Sequence, residues 1–220
     1  MHESVRDAFA EFSRKFEGYV HFMYLDIKGL VTIGIGNLID AEASVRNLPF
    51  THKLTRAAAT QKEILAEWRK LKRMPELAQK GHKACEAITD LRLSDEDIAA
   101  LVERRLLANE ALVRQTFREW DDFPADAQLG VMSLAWAVGA AFAPRWPRFT
   151  AACHEGDWAG AAANSKLKEQ GNPGVIPRNR ANALLFGNAL EVVTQGLDRS
   201  RLFYPDAVPP AVLATPAAST

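Results

Sequence analysis

Glu17, Asp26 and Thr32 are the residues near the start of the chain whose types and spacing could carry a reaction; they stand nine and then six positions apart. A carboxyl held neutral beside a second held charged is the pair that acid/base cleavage of a glycosidic bond uses. In the inverting form of that reaction the gap between the carboxyls holds a water, which a hydroxyl such as that of Thr32 could orient.

Local patterning sets where these residues sit. Val5, Ala8, Phe9, Phe12 and Phe16 recur at helical spacing and predict an amphipathic helix over residues 3–16. Gly18 suits the position just past a helix end, which puts Glu17 in the last turn. A carboxyl there faces the negative pole of the helix, among Phe16, Tyr19 and Phe22, the surroundings a general acid needs near neutral pH. Residues 21–25 and 30–35 are rich in aromatic and β-branched types and read as two strands. Asp26-Ile27-Lys28-Gly29 supplies the turn between them, with Gly29 available for positive φ. Asp26 therefore falls at a solvated hairpin corner, and Thr32 lies on the returning strand.

The Glu-x8-Asp-x5-Thr spacing, followed by Ile33-Gly34-Ile35-Gly36, resembles the phage-type lysozymes, the glycoside hydrolase family of the T-even phage endolysin. The resemblance implies a mainly α (α+β) fold of two lobes: a small lobe of helix plus β-hairpin and a larger helical lobe. It also implies muramidase activity on the β-1,4 bond between N-acetylmuramic acid and N-acetylglucosamine. Carried over by position, Glu17 is the acid, Asp26 the base or charge stabiliser, and Thr32 the residue that places the water. Leu38 matches a cleft-lining position, and Asn37 stands where the family commonly has His as a structural partner of the hairpin. Trp136, in Ser133-Leu134-Ala135-Trp136-Ala137, matches an aromatic that faces the substrate, followed here by Ala137 where a polar residue is usual. Phe149 and Asn164 fall at groove positions that contact sugar, and Arg180, in the Asn-Arg-Ala context, matches an arginine near the acid. The chemistry implied requires no metal and no cofactor.

Composition narrows the alternatives. The net charge is zero, from 27 basic and 27 acidic residues, so nothing directs the chain to nucleic acid. No run approaches the ~20 apolar residues of a membrane span, and Met1–Phe12 lacks the basic start and apolar core of a signal peptide. Synthesis in the cytoplasm is expected, with delivery to the periplasm or cell wall by a holin or a secretion system. Cys85 and Cys153 are isolated and read as buried free thiols. The expected partner is the peptidoglycan glycan strand, met by a monomer, with an immunity or inhibitor protein added if the chain is an antibacterial effector rather than an endolysin.

The remaining chain reads as loop over 38–54, a helix over 55–74, and a second over 76–87 after Pro75. The segment 41–90 is longer than the usual connection between lobes in the small phage enzymes. The basic cluster Arg69, Lys70, Lys72 and Arg73 reads as a solvated helix face. Ser94, with Asp97 three residues on, predicts a helix running to about 119. Residues 125–138 are apolar almost all round towards their end and predict a core helix that Gly139 stops. A short helix follows over 147–154; residues 156–162 resemble a helix of the same family, and a turn at 171–174 and a helix over 180–195 come after. One catalytic domain is expected over 1–207, with the small lobe about 17–60 and the helical lobe about 91–200 plus the first helix. The Pro/Ala/Ser/Thr-rich end, 208–220, reads as a disordered tail. Two rival functions remain: a chitin or chitosan hydrolase, and a lysozyme-like glycan-binding module without catalysis.

Overall fold

A computed structural model describes residues 1–209, and the chain falls into two compact units: Ala10–Leu107, and Met1–Phe9 together with the residues from Ala108 on. The molecule is mainly helical with two small antiparallel sheets. The first boundary lies inside helix α1 (Glu3–Glu17), which ends where Gly18 enters the left-handed region at φ 75°.

In the 10–107 unit, α1 leads into strands β1 (Val20–Leu25), β2 (Val31–Gly34) and β3 (Asn37–Leu38), hydrogen-bonded in that order. Val20, Met23, Leu25, Val31 and Ile33 are buried and form the core beneath the sheet. Residues 38–54 are more ordered than a loop: they hold helix α2 (Glu42–Val45) and strand β4 (Thr51–His52). Helix α3 (Gln61–Lys72) starts later than the sequence predicts, because Thr60 and Glu63 form a reciprocal capping box at that point. Its basic face is largely committed within the unit: Arg69 pairs with Glu42 and Lys72 with Asp40, each at 2.8 Å. The predicted helix over 76–87 is instead a 3₁₀ segment, Pro75–Gln79, and helix α4 (His82–Glu86), separated by Gly81 at φ 77°. Strand β5 (Leu91–Arg92) returns to pair with β4, and the Glu67 carboxylate holds it by accepting from the backbone N–H of Asp90 at 2.6 Å. The segment beyond residue 60 thus belongs to the same unit as the hairpin. Helix α5 (Asp95–Thr116) opens on Ser94, whose hydroxyl accepts from the Asp97 backbone N–H at 3.1 Å.

In the other unit, helix α6 (Ala125–Val138) has the predicted bounds and is buried along almost its whole length. It packs with helix α7 (Pro147–Glu155), helix α8 (Trp158–Asn164) and helix α9 (Ile176–Thr194) in a bundle whose pairs are α7–α8, α8–α9 and α6–α9. The buried Asp126 carboxylate accepts from Asn188 Nδ2 and from the backbone N–H groups of Phe203 and Tyr204, which ties the chain after α9 to the bundle. Burial pushes its pKa up against those hydrogen bonds. Cys85 and Cys153 are buried free thiols.

The expected tail starts too early. Val208 is buried and donates its N–H to Asn188 Oδ1 at 2.9 Å, and the Pro209 carbonyl accepts from Gln195 Nε2 at 2.7 Å. The rest of that expectation, from residue 210 on, lies outside the described residues.

Close approach of α6 and α9 depends on Gly130. A Cβ at that position would meet the buried Phe186 ring at 2.7 Å. Gly130→Ala gains helix propensity, about 1 kcal/mol, but the ring is held by its neighbours and cannot swing aside. Overpacking costs about 1–3 kcal/mol, so a net loss of stability is expected, read as a lower urea midpoint at unchanged slope. A midpoint equal to or above that of the parent would contradict the packing.

Candidate active site

Glu17 is the last residue of α1, and its carboxyl lies against the turn between β2 and β3. A Cβ on Gly36 would stand 3.0 Å from Glu17 Oε2 and 3.3 Å from its Cδ, so only glycine leaves room for the acid there. The turn is built for that approach. Gly34 and Gly36 both take positive φ, 66° and 69°. Asn37, buried, accepts from the Ile35 N–H through Oδ1 at 3.3 Å. The Arg105 guanidinium donates to the Gly36 carbonyl. Asn37 is thus an internal brace of the turn.

Asp26 sits at the hairpin corner as the sequence predicts. Its Oδ1 accepts from the N–H groups of Lys28 and Leu30 at 2.8 and 2.9 Å, and its backbone N–H and carbonyl bond Leu30 and Gly29. One carboxylate oxygen therefore fixes the turn, while Oδ2 accepts no hydrogen bond from any described residue. A carboxylate held rigidly by one oxygen and open at the other is suited to accept a proton from water.

Tyr24 ties the two acids together. Its hydroxyl is pushed up to about 12 by burial first, then by the charges of Glu17 and Asp26. Both carboxylates thus lie close enough to one phenol to act on its ionisation. Register adds the third group, since Thr32 is the cross-strand partner of Tyr24 on one side and of Leu38 on the other. Cross-strand partners share a sheet face, so Tyr24, Thr32 and Leu38 form one row across the three strands. Thr32 is buried, and its hydroxyl donates to the Leu30 carbonyl at 3.2 Å, which leaves Oγ1 able to accept a hydrogen bond. Leu38 closes the row as an exposed apolar side chain on the edge strand. Glu17, Asp26, Thr32, Asn37 and Leu38 are thus assembled within one unit.

Four further predicted residues lie in the other unit and fare differently. Trp136 is 3% exposed, with its ring 5.0 Å from that of Phe9 in an edge-to-face contact; it is a core residue and offers no face for a sugar. Phe149, 1% exposed, packs between Phe142 and Phe186, so it too is core. Its edge, with Trp146, Arg148 and Asn164, still lines a shallow depression of about 250 Å³. There Asn164 ends α8 by donating Nδ2 to the Gly160 carbonyl at 2.8 Å, leaving Oδ1 to accept from a ligand. Arg180 is exposed, and its charge acts on Glu169. Arg178 is the buried arginine of this segment, donating to the Ser133 carbonyl at 2.9 Å. Helix α9 begins at Ile176 rather than at residue 180, and its packing carries Arg178 inward and Arg180 out.

Tyr24 and Arg105 were not singled out by the sequence. Tyr24 had a signal, two residues before Asp26 on a strand and therefore on its face. Arg105 had none, since it reaches the glycine turn from far along the chain. Among the described residues no group of three His, Cys, Asp or Glu side chains could hold a metal ion, and no helix is long and apolar enough to cross a membrane. No model of a known protein family matches the chain, and no curated protein matches it.

Proposed function

We propose that the chain is a muramidase of the two-lobed, phage-lysozyme kind, hydrolysing the β-1,4 glycosidic bonds of peptidoglycan strands by acid/base catalysis. The observation that carries this reading is geometric: Glu17 is seated against Gly36, Asp26 is fixed at the hairpin corner through Oδ1, and Thr32 lies on the returning strand. Glu17, seated against Gly36, protonates the glycosidic oxygen as the bond breaks. Asp26 Oδ2 accepts a proton from a water that also donates to Thr32 Oγ1, and the water oxygen attacks the anomeric carbon from the opposite face, inverting it. Tyr24, pushed up to about 12, stays neutral at physiological pH. The sugar rings of the glycan find an apolar edge at Leu38.

The test is release of new reducing ends from purified cell walls, with the anomer first formed followed by NMR. Walls should clear with reducing ends appearing as the inverted anomer. Chitin run in parallel separates the nearest rival: faster release from chitin than from walls would move the substrate. A folded protein that binds walls and releases no reducing ends would overturn the hydrolase reading in favour of a glycan-binding module.

A further inference from the structure

Beside the hairpin, within the same unit, an open pocket of about 670 Å³ is lined by Phe22, Lys53, Arg56, Lys83, Glu86 and Arg92, among others. Its walls come from β1, from the loop after β4, from α4, and from β5 with the residues that follow it, so the hairpin, the 41–90 segment and the chain just beyond it all contribute. In a chain with no net charge, four guanidinium or ammonium groups converge here against two carboxylates, Glu86 and Asp95. Asp95 is already engaged, accepting from the Tyr19 hydroxyl at 2.6 Å.

Arg92 is the unusual member. It is 8% exposed, its Nη1 donates to the carbonyls of Thr89 and Leu91, and its guanidinium carbon stands 4.8 Å from the centre of the Phe22 ring. Its Nη2 has no hydrogen-bond partner, and no carboxylate of the described residues lies within ion-pair distance of it. A buried guanidinium with one orphaned donor group is costly to keep unless something accepts from it. Lys53, Arg56 and Lys83 make no side-chain hydrogen bond or ion pair with any described residue either, so three more cations line the same pocket without an ion-pair partner. Arg56 is also the one non-glycine described residue at positive φ, 60°, a conformation that costs about 1 kcal/mol and is retained where a side chain must be aimed. The pocket adjoins the acids: the His82 ring, on its rim, lies 6.4 Å from the Phe22 ring and 6.1 Å from that of Tyr24.

We infer that this pocket is a carboxylate-binding subsite for the short peptides that branch from wall glycan, with Arg92, Arg56, Lys83 and Lys53 as its cationic wall and Glu86 as the acceptor for a free amine. Those peptides carry carboxylates in excess of amines within a span of a few residues, which matches both the sign and the mixture of charges. A planar guanidinium resting on an aromatic ring presents donors in the fork that carboxylates fit. This assignment rests on the wall-glycan reading of the acids and extends it from the sugar to its peptide branch.

Calorimetric titration with a free stem tetrapeptide containing γ-linked glutamate and diaminopimelate tests it, beside inorganic phosphate as a generic anion. The variants are the wild type and Arg56→Glu/Lys83→Glu, whose exposed side chains carry no fold contact, so the thermal midpoint should not change. The tetrapeptide should bind the wild type and bind the double variant about tenfold more weakly or worse. The KM for peptide-bearing walls should rise by about the same factor, with kcat and the rate on peptide-stripped glycan unchanged. Equal peptide binding by both proteins, no peptide binding at all, or binding of phosphate alone would overturn the proposal. Because calorimetry needs no turnover, an inactive protein that binds the tetrapeptide retires only the hydrolase reading. An active protein that ignores the peptide retires only the pocket.

Discussion

Glu17→Gln should cut the rate of wall-glycan hydrolysis by about 10³-fold while glycan binding stays at its wild-type level. Glutamine has the size and shape of the acid, so it fits the same seat against Gly36, where a Cβ would already stand 3.0 Å from Oε2. What it removes is the proton that must reach the glycosidic oxygen. A step that depends on that transfer loses most of its rate, whereas contacts to the sugars are untouched, so kcat should fall and KM should hold. Tyr24 gives an internal check that the site is intact. Glu17 is the second cause, after burial, of the raised Tyr24 pKa. A negative charge nearby disfavours the phenolate, so its removal should let Tyr24 titrate lower than in the wild type, measured by absorbance in alkaline titration. Less than a tenfold loss of kcat would remove Glu17 from the acid's role.

The site was readable where local rules decide it. A helical apolar repeat stopped by Gly18 put Glu17 at a helix end, and Asp-Ile-Lys-Gly fixed both the corner and the position of Asp26 on it. Alternation then placed Thr32 on the facing strand. The rest depended on contacts far apart in sequence. Trp136 lies in a helix that is apolar on every side, and such a helix gives no hint of which face meets ligand; the structure puts the ring against Phe9. Arg178 and Arg180 differ by two positions, a swing of more than half a helical turn, and only the packing of α9 shows that Arg178 shares the buried face of Ala181, Asn182 and Leu185. Apart from the twelve-residue α3, the 41–90 segment was opaque because its pieces are too short to show a period: a four-residue helix, a two-residue strand, a 3₁₀ turn and a five-residue helix. They gain meaning only when β4 and β5 pair and bring Arg92 beside Phe22.

These two kinds of residue meet in one unit. The acids and the hydroxyl are fixed by backbone hydrogen bonds of a hairpin, which gives positions precise enough for proton transfer. The cations of the neighbouring pocket are long, mostly exposed side chains on and just after a segment held by a capping box and surface ion pairs. Rigid groups suit the bond that breaks, and adaptable ones suit a variable branch next to it.

Asp26 offers the cleanest separation of structure from chemistry, because its two oxygens are divided between them. Oδ1 accepts from Lys28 and Leu30 N–H and fixes the turn, while Oδ2 takes no bond from the described residues. Asp26→Asn keeps an acceptor oxygen for the turn and replaces only the open side, so the hairpin should form with an unchanged denaturation midpoint. The replaced oxygen is the one that must take a proton from the attacking water, and an amide cannot do so. Hydrolysis should fall by about 10²–10⁴-fold. Asp26→Ala should lose a similar share of activity and also leave two backbone donors without their acceptor, at a cost of about 1–2 kcal/mol in stability. The pair is read together by reducing-end release and urea denaturation. A comparable activity loss in both variants with a stability loss in alanine alone would assign Oδ2 to the chemistry and Oδ1 to the fold. Retention of more than a tenth of the rate in Asp26→Asn would mean that water is activated elsewhere, and the base would have to be sought outside the hairpin.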